Sequence, residues 1–458
     1  MEQNWYQRLA KNFILPPILW RSGELARLRY FREFETTQFL STEEIRELQY
    51  QRLKSMLHHA YEHSPFYWQQ FDQTGLHPSD ICSLEDLSNF PILEKNHIQK
   101  HQTEMVAENW PKNDLVHDQT GGSTGQPISF VMNKERYESR VAAMWRHDAW
   151  AGLEVGHRVA YIWGAPRDKP SRNWKTRLRG RLLGGQLWLD TACITEEKML
   201  EFDDALKVFR PRSIIAYANG IAMLARFFHM KGITPYQPYS IITSAEVLTP
   251  ENRELVENVF GCPIFNRYGS REVSVIASEC ESHDGLLTMA EGLYVEVIQN
   301  EQPVGAGETG EILVTDLLNY GMPMIRYRIG DMGSWANASG ESGRNLPCLS
   351  SVEGRVTDFV IGSDGRMVSG VFLATYVVAN RPSLGKVQLW QETAGVLLYR
   401  ILRGADFRES EDLEYLQIAT REYLGKDATA QFEFVDELPT SPSGKLLFCR
   451  SEIQPDYH

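Results

Sequence analysis

The sequence lacks any hydrophobic run long enough to cross a bilayer. Its apolar stretch FILPPILW at 13–20 is eight residues with two prolines, against about 20 for a spanning helix. Preceded by the polar start MEQNWYQRLAKN, it is expected to make no integral membrane contact, and a cytoplasmic protein is expected. Excess positive charge is also missing: 47 basic against 60 acidic side chains leave a net charge of −13, which excludes broad phosphate neutralisation and makes nucleic acid an unexpected partner. Cysteine is scarce, six residues scattered at 82, 193, 262, 280, 348 and 449, so no compact disulfide framework is expected. Glycine and proline, 34 and 21 among 458 residues, fall short of collagen-like or low-complexity composition, and no repeat of 20–50 residues recurs.

What remains is an ordinary globular composition, 42% apolar and 23% charged, in a chain longer than one typical domain of about 100–200 residues. Ser41-Thr42 offers a cap for a long helix that ends near Ser64-Pro65, with Ile45, Leu48, Leu53, Leu57 and Ala60 at helical spacing. Strand-type runs then alternate with helices: RVAYIW (158–163), a helix over 196–209, SIIAYA (213–218), a helix over 221–230, SIITSAE (240–246) and a helix over 250–260. This alternation predicts layered α/β structure with parallel strands. After about 290 the texture is strand-rich and predicts a small twisted sheet or barrel. A boundary at 352–358 then precedes a small α+β unit with a hairpin at Asp364-Gly365 and a helix over 409–424.

The strongest local signal is Thr120-Gly121-Gly122-Ser123-Thr124-Gly125. Glycines that accept positive φ can turn backbone N–H groups inward, and three hydroxyls add donors, so the loop suits a polyphosphate. No Lys follows Gly125 and Pro127 blocks a helix start, so it is not the G-x-x-x-x-G-K-[ST] loop, and taken alone it also reads as a Gly/Ser/Thr hairpin.

Four further segments follow in order: Tyr268-Gly269-Ser270-Arg271-Glu272, Tyr327-Arg328-Ile329-Gly330-Asp331, Gly354-Arg355-Val356-Thr357-Asp358, and Pro439-Thr440-Ser441-Pro442-Ser443-Gly444-Lys445. Together with the glycine loop they resemble the phosphate loop, the Tyr-Gly-x-Thr-Glu and Tyr-Arg-Thr-Gly-Asp motifs, the hinge and the catalytic-lysine loop of the acyl-adenylate-forming superfamily. The long N-terminal helix with SPFYWQQF, Ser244-Ala245-Glu246, and a phosphate loop without a terminal Lys resemble its phenylacetate–coenzyme A ligase branch and that branch's capsule-associated relatives. The resemblance implies a large α/β adenylation domain with a small β-subdomain over 1–354. A mobile α+β lid over 355–458 would turn at 354–358, with Thr357 and Asp358 both open as pivot.

It also implies ATP, magnesium and coenzyme A as cofactors and a small carboxylic acid as substrate. Lys445, Glu272 and Arg271 would be catalytic, with Glu272 the magnesium ligand. The nucleotide would be bound by residues 120–125, Ser244, Ala245, Glu246, Asn266, Arg267, Tyr268, Gly269, Ser270, Asp331 and Arg355. Arg271 departs from the motif's usual Thr and replaces a hydroxyl with a guanidinium. The expected reaction is attack of the acid on the α-phosphorus of ATP, then transfer of the acyl group to a thiol. Transfer to an amine or hydroxyl, and a non-catalytic nucleotide sensor, are the alternatives.

Three weaker signals stand apart. Cys280-x-x-His283 with Cys262 and Cys348 is metal-capable and is carried as a candidate zinc set, although a second close pair is missing. Seven basic residues between Arg167 and Arg181 read as a solvated loop or as a dock for an anionic substrate. Trp145, Trp150, Tyr161 and Trp163 read as core ahead of acid pocket.

Overall fold

A computed structural model describes residues 9–120, 128–164, 180, 183–192, 194–337, 342–353, 359–378, 380–404, 406–438 and 448–453. Strand β1 (Leu115–Gln119) pairs antiparallel with β2 (Ser129–Asn133), and the two bracket the glycine loop. The central sheet contains 12 strands among the described residues. One half is parallel: β3 (Val159–Ile162), β4 (Gln186–Leu189), β5 (Ser213–Tyr217), β6 (Ser240–Ser244) and β7 (Ile264–Ser270), in the order β4-β3-β5-β6-β7. Strand β5 is buried at every position, as expected of a parallel strand covered on both faces.

The other half continues from β7 through β8 (Ser274–Ser278), β9 (Leu286–Thr288), β10 (Leu293–Gln299), β11 (Gln302–Pro303), β12 (Thr309–Asp316), β13 (Tyr327–Trp335) and β14 (Cys348–Glu353). Here the order is β7-β8-β9-β14-β13-β12-β10-β11 and every pairing is antiparallel. The expected separate sheet or barrel after 290 is therefore corrected: β7 pairs parallel with β6 on one edge and antiparallel with β8 on the other, so the two textures share one sheet.

Helices follow from local chemistry. Helix α1 (Leu15–Ser22) holds Pro16 and Pro17 in its first turn, where a missing N–H costs nothing, and α2 is Ala26–Thr37. Helix α3 (Thr42–His63) starts on a reciprocal cap between Ser41 and Glu44, and Pro65 opens α4 (Pro65–Thr74). Helix α5 is Lys95–Met105, and α6 (Lys134–Trp150) leaves directly from β2. Helices α7 (Glu196–Phe209), α8 (Ala218–Lys231) and α9 (Pro250–Phe260) cover the parallel half, packing Met223, Phe227, Phe228, Val256 and Phe260 on Ile162, Ile214 and Ile241.

The C-terminal residues form hairpin β15 (Phe359–Ile361) with β16 (Met367–Ser369), and a second sheet of β17 (Lys386–Thr393), β18 (Val396–Leu402), β19 (Thr429–Phe434) and β20 (Cys449–Ser451), ordered β19-β18-β17-β20. Helix α10 (Glu409–Leu424) lays Leu416, Ala419 and Leu424 over Val387, Leu389 and Ile401, a core of their own. The hairpin meets the large unit through Ile194, whose amide and carbonyl both pair with Met367 at 3.0 and 2.7 Å.

Candidate active site

The site lies at the C-terminal end of β7, where the sheet changes sense. Gly269 sits against the Ser274 carbonyl so closely that a Cβ would lie 2.4 Å from that oxygen, which only glycine avoids. Past a register shift between Tyr268 and Gly269 the strand ends at Ser270, and Arg271 and Glu272 lie in the turn that leads to β8.

Two tyrosine hydroxyls join this turn to β13. Tyr268 donates to Asp331 Oδ2 at 3.0 Å, and Tyr327 donates to Glu272 Oε1 at 3.0 Å. The segments 268–272 and 327–331 thus interlock, each contributing one tyrosine and one carboxylate. Glu272 and Asp331 are both only half-buried, so each keeps access to solvent. Tyr327 opens the second of these motifs, and its partner Glu272, 55 residues away, is set by the fold.

On the other side stands the β1–β2 hairpin. The Thr120 amide donates to the Ile128 carbonyl at 2.9 Å, and the Ile128 amide donates to Thr120 Oγ1 at 2.8 Å, closing the base of the loop. Gly121, Gly122, Ser123, Thr124 and Gly125 lie outside the described residues, as do Arg355, the whole hinge 354–358, Lys445 and every basic residue of the run 167–181. Arg271 Nε faces Asp118 Oδ1 on β1 at 4.0 Å, which brings the 268–272 turn up to the hairpin.

The remaining predicted residues divide. Ser244 ends β6, and Ala245 follows at φ +69°, a left-handed conformation uncommon for a residue with a Cβ. Glu246 is buried and its Oε2 accepts from the Asn219 amide at 2.7 Å, at the N-terminus of α8, where an orphan donor and the helix dipole favour a carboxylate. Ser270 Oγ accepts from the Val273 amide at 3.4 Å, bracing the turn. Asn266 gives its amide to Glu279 Oε2 at 2.9 Å, and Arg267 is buried in an ion pair with Asp148, so the structure ties both into the sheet's support.

The zinc set does not assemble. Cys262 packs in the core under the parallel strands, whereas Cys280 and Cys348 pack in a different cluster with Trp150. His283 Nδ1 lies 3.3 Å from Glu279 Oε2 instead. Burial pushes the Cys262 thiol up to about 12 and the Cys348 thiol up to about 11, which keeps both protonated at neutral pH. Among the described residues no three His, Cys, Asp or Glu side chains are grouped to hold a metal. Magnesium differs from zinc in taking one or two carboxylates plus phosphate oxygens and waters, and the one carboxylate oriented by Tyr327 meets that demand.

Trp145 stands edge-on to Phe31 and Trp150 donates to Gln38 Oε1, so both are core. Tyr161 stacks on Trp188 at 4.3 Å and Trp163 lies 4.1 Å from Tyr217, an aromatic face across β3, β4 and β5.

The fold is shared with a solved 2-hydroxyisobutyryl-CoA ligase, in complex with 2-HIB-AMP and CoA in the thioesterification state, which superposes with a TM-score of 0.64 at 19% identity over 90% of this chain and 91% of that one. In sequence the chain is similar to CapK and to phenylacetate-CoA ligases. It is 23% identical to Protein CapK of Staphylococcus aureus over 93% of this chain and 94% of CapK. It is 28% identical to the phenylacetate-coenzyme A ligase of Aromatoleum evansii over 72% of this chain and 74% of that enzyme, and 27% identical to that of Escherichia coli over 70% and 73%. Residues 360–452 match the CapK C-terminal domain family. The resemblance carried by the five motifs is borne out. Among the described residues no helix is long and apolar enough to cross a membrane.

Proposed function

We propose that the protein is an AMP-forming acid–thiol ligase that activates an organic acid with ATP and passes the acyl group to coenzyme A. The observation that carries this reading is the double tyrosine–carboxylate interlock, which sets Tyr268, Glu272 and Asp331 together at the strand end facing the glycine-loop hairpin. In the first step a substrate carboxylate oxygen bonds to the α-phosphorus and the bond to pyrophosphate breaks. In the second the thiol sulfur bonds to the acyl carbon, AMP leaves, and the thiol proton passes to solvent.

Each residue has a defined task. The face of Tyr268 supports adenine while its hydroxyl orients Asp331, whose carboxylate accepts from the ribose diol. Glu272 would hold magnesium, which neutralises charge on the phosphates when bound. Arg271 offers a cation on the phosphate side, with residues 120–125 as cradle. The large unit 1–354 binds the nucleotide and acid, and a lid 355–458 that turns at 354–358 delivers Lys445 to the α-phosphate.

A second reading concerns the acceptor alone, on which the likeness to CapK is silent. An amine or hydroxyl would then replace the thiol, with the same first step. The test is a carboxylic-acid panel scored by ATP–pyrophosphate exchange, followed by AMP release with and without coenzyme A. Exchange with coenzyme A-dependent release supports the ligase. Exchange without coenzyme A-dependent release supports the other acceptor, and nucleotide binding without exchange for any acid would leave only a sensor.

A further inference from the structure

Helix α6 leaves β2 immediately after the glycine loop and carries Arg136 and Arg140 one turn apart on the face turned toward the 268–272 turn. Their surroundings differ. Arg136 is fully buried and satisfied: Nε donates to Asp316 Oδ2 at 2.7 Å, Nη1 to Ser139 Oγ at 3.0 Å and Nη2 to the Val273 carbonyl at 3.1 Å. Arg140 donates through Nη2 to the Arg271 carbonyl at 2.6 Å and through Nη1 to Met132 Sδ at 3.0 Å, and no described carboxylate lies within 4.0 Å of it.

Arg140 is half-buried, and the acids whose charge reaches it, Asp316 and Asp118, stand beyond 4.0 Å. Asp118, across the hairpin, already accepts from the Gln119 amide and faces Arg271. Asp316 is engaged by Arg136. The loop residues 121–127, Gly-Gly-Ser-Thr-Gly-Gln-Pro, contain no acid that could serve. Burial, with Arg136 beside it, lowers the Arg140 pKa to about 10, which still leaves it fully charged near pH 7.

We propose that Arg140 is the fixed cation on the pyrophosphate side of the site: its fork holds the Arg271 carbonyl, so that both guanidinium groups meet the β- and γ-phosphates together. This rests on the nucleotide chemistry proposed above and adds a residue that none of the five motifs contains. It also accounts for a glycine loop without a terminal Lys, because the cation reaches the phosphates from the following helix.

The test uses the full chain and two probes, inorganic pyrophosphate and AMP, each titrated calorimetrically in magnesium buffer against wild type, Arg140→Met and Arg140→Lys, with thermal melts as the check on folding. Arg140→Met should weaken pyrophosphate binding at least tenfold and leave AMP within twofold, because adenine and ribose rest on Tyr268 and Asp331. Arg140→Lys should recover part of the pyrophosphate affinity. Equal losses for both ligands, or an unchanged pyrophosphate affinity, would overturn the assignment. Wild-type protein that binds neither AMP nor pyrophosphate would instead remove the nucleotide reading beneath it, a result visible before any variant is compared.

Discussion

The Tyr327 hydroxyl donates to Glu272 Oε1 at 3.0 Å, so the first residue of one motif fixes the last residue of another, 55 positions earlier. One carboxylate oxygen is thereby occupied, and on the proposed reading the other takes magnesium. Glu272→Gln keeps the volume and removes the charge, and ATP–pyrophosphate exchange is expected to fall by at least ~10², the scale of one preorganised electrostatic contact. Tyr327→Phe should cost about tenfold, as one hydrogen bond to a charged group, and should raise the magnesium concentration for half-maximal exchange. Normal exchange in both variants would reject the metal-ligand assignment.

Asp331 is expected to matter for nucleotide affinity and not for the acid. Asp331→Asn removes the charged acceptor for the ribose diol and should raise the KM for ATP by about 10- to 100-fold, equivalent to roughly 1.5–3 kcal/mol. The KM for the acid should stay within about threefold. Tyr268→Phe should have a smaller effect of the same kind. Steady-state kinetics with each substrate varied in turn would decide it, and a larger change in the acid KM would place Asp331 elsewhere.

Lys445 lies outside the described residues, and its prediction rests on charge and on the proposed lid. At about 4 Å and an effective dielectric near 20, a cation–oxyanion pair is worth roughly 4 kcal/mol before desolvation. Lys445→Ala should slow adenylation by about 10²–10³, while thioester formation from preformed acyl-adenylate stays near the wild-type rate. Equal losses in the two half-reactions would argue against an alternating lid.

Acid stability should report on the C-terminal unit. Burial raises the Asp412 pKa, but the Arg408 amide at 2.8 Å, Arg381 Nε at 2.6 Å and Ser383 Oγ at 2.8 Å outweigh it and hold the carboxyl below its usual value. A depressed folded pKa gives stability that is present above the unfolded value, about 3.9, and is lost as pH falls through the folded one. Asp412→Asn should therefore destabilise at pH 7 by on the order of 2 kcal/mol and flatten the stability change below about pH 4. Urea titrations at pH 7 and pH 3 would check both, and parallel curves for variant and wild type would contradict it.

Helices with strong end signals were legible in the sequence. The Ser41 cap, the Glu196–Phe209 and Pro250–Phe260 helices and the parallel strands stand where periodicity placed them. Pairing was not legible, because a strand's residues state which faces are buried and not which neighbour lies on each edge, and so the strand-rich segment looked like a sheet of its own. FILPPILW read only as a short apolar run, although its prolines fall where a helix accepts them. In the site, Tyr268, Glu272 and Asp331 came from motif likeness and are brought together by contacts that span 55 and 63 residues. Arg140 was not legible because a charged residue in a helix ordinarily signals a solvated face, and only the fold brings it to the Arg271 carbonyl. The cysteines misled for the opposite reason: similar side chains close in sequence were separated by the sheet into different cores.

Strand β7 has a parallel neighbour on one edge and an antiparallel one on the other. Its tolerance for length change should be nil. Side chains alternate across a strand, so the loss or gain of a single residue before Tyr268 would exchange the faces of Arg267 and Tyr268 in one stroke, parting the first from Asp148 and the second from Asp331. Neither edge could re-register without dragging the other along. Loops elsewhere in the chain can drift in length over evolutionary time, but the seven residues of Ile264–Ser270 can change only by substitution.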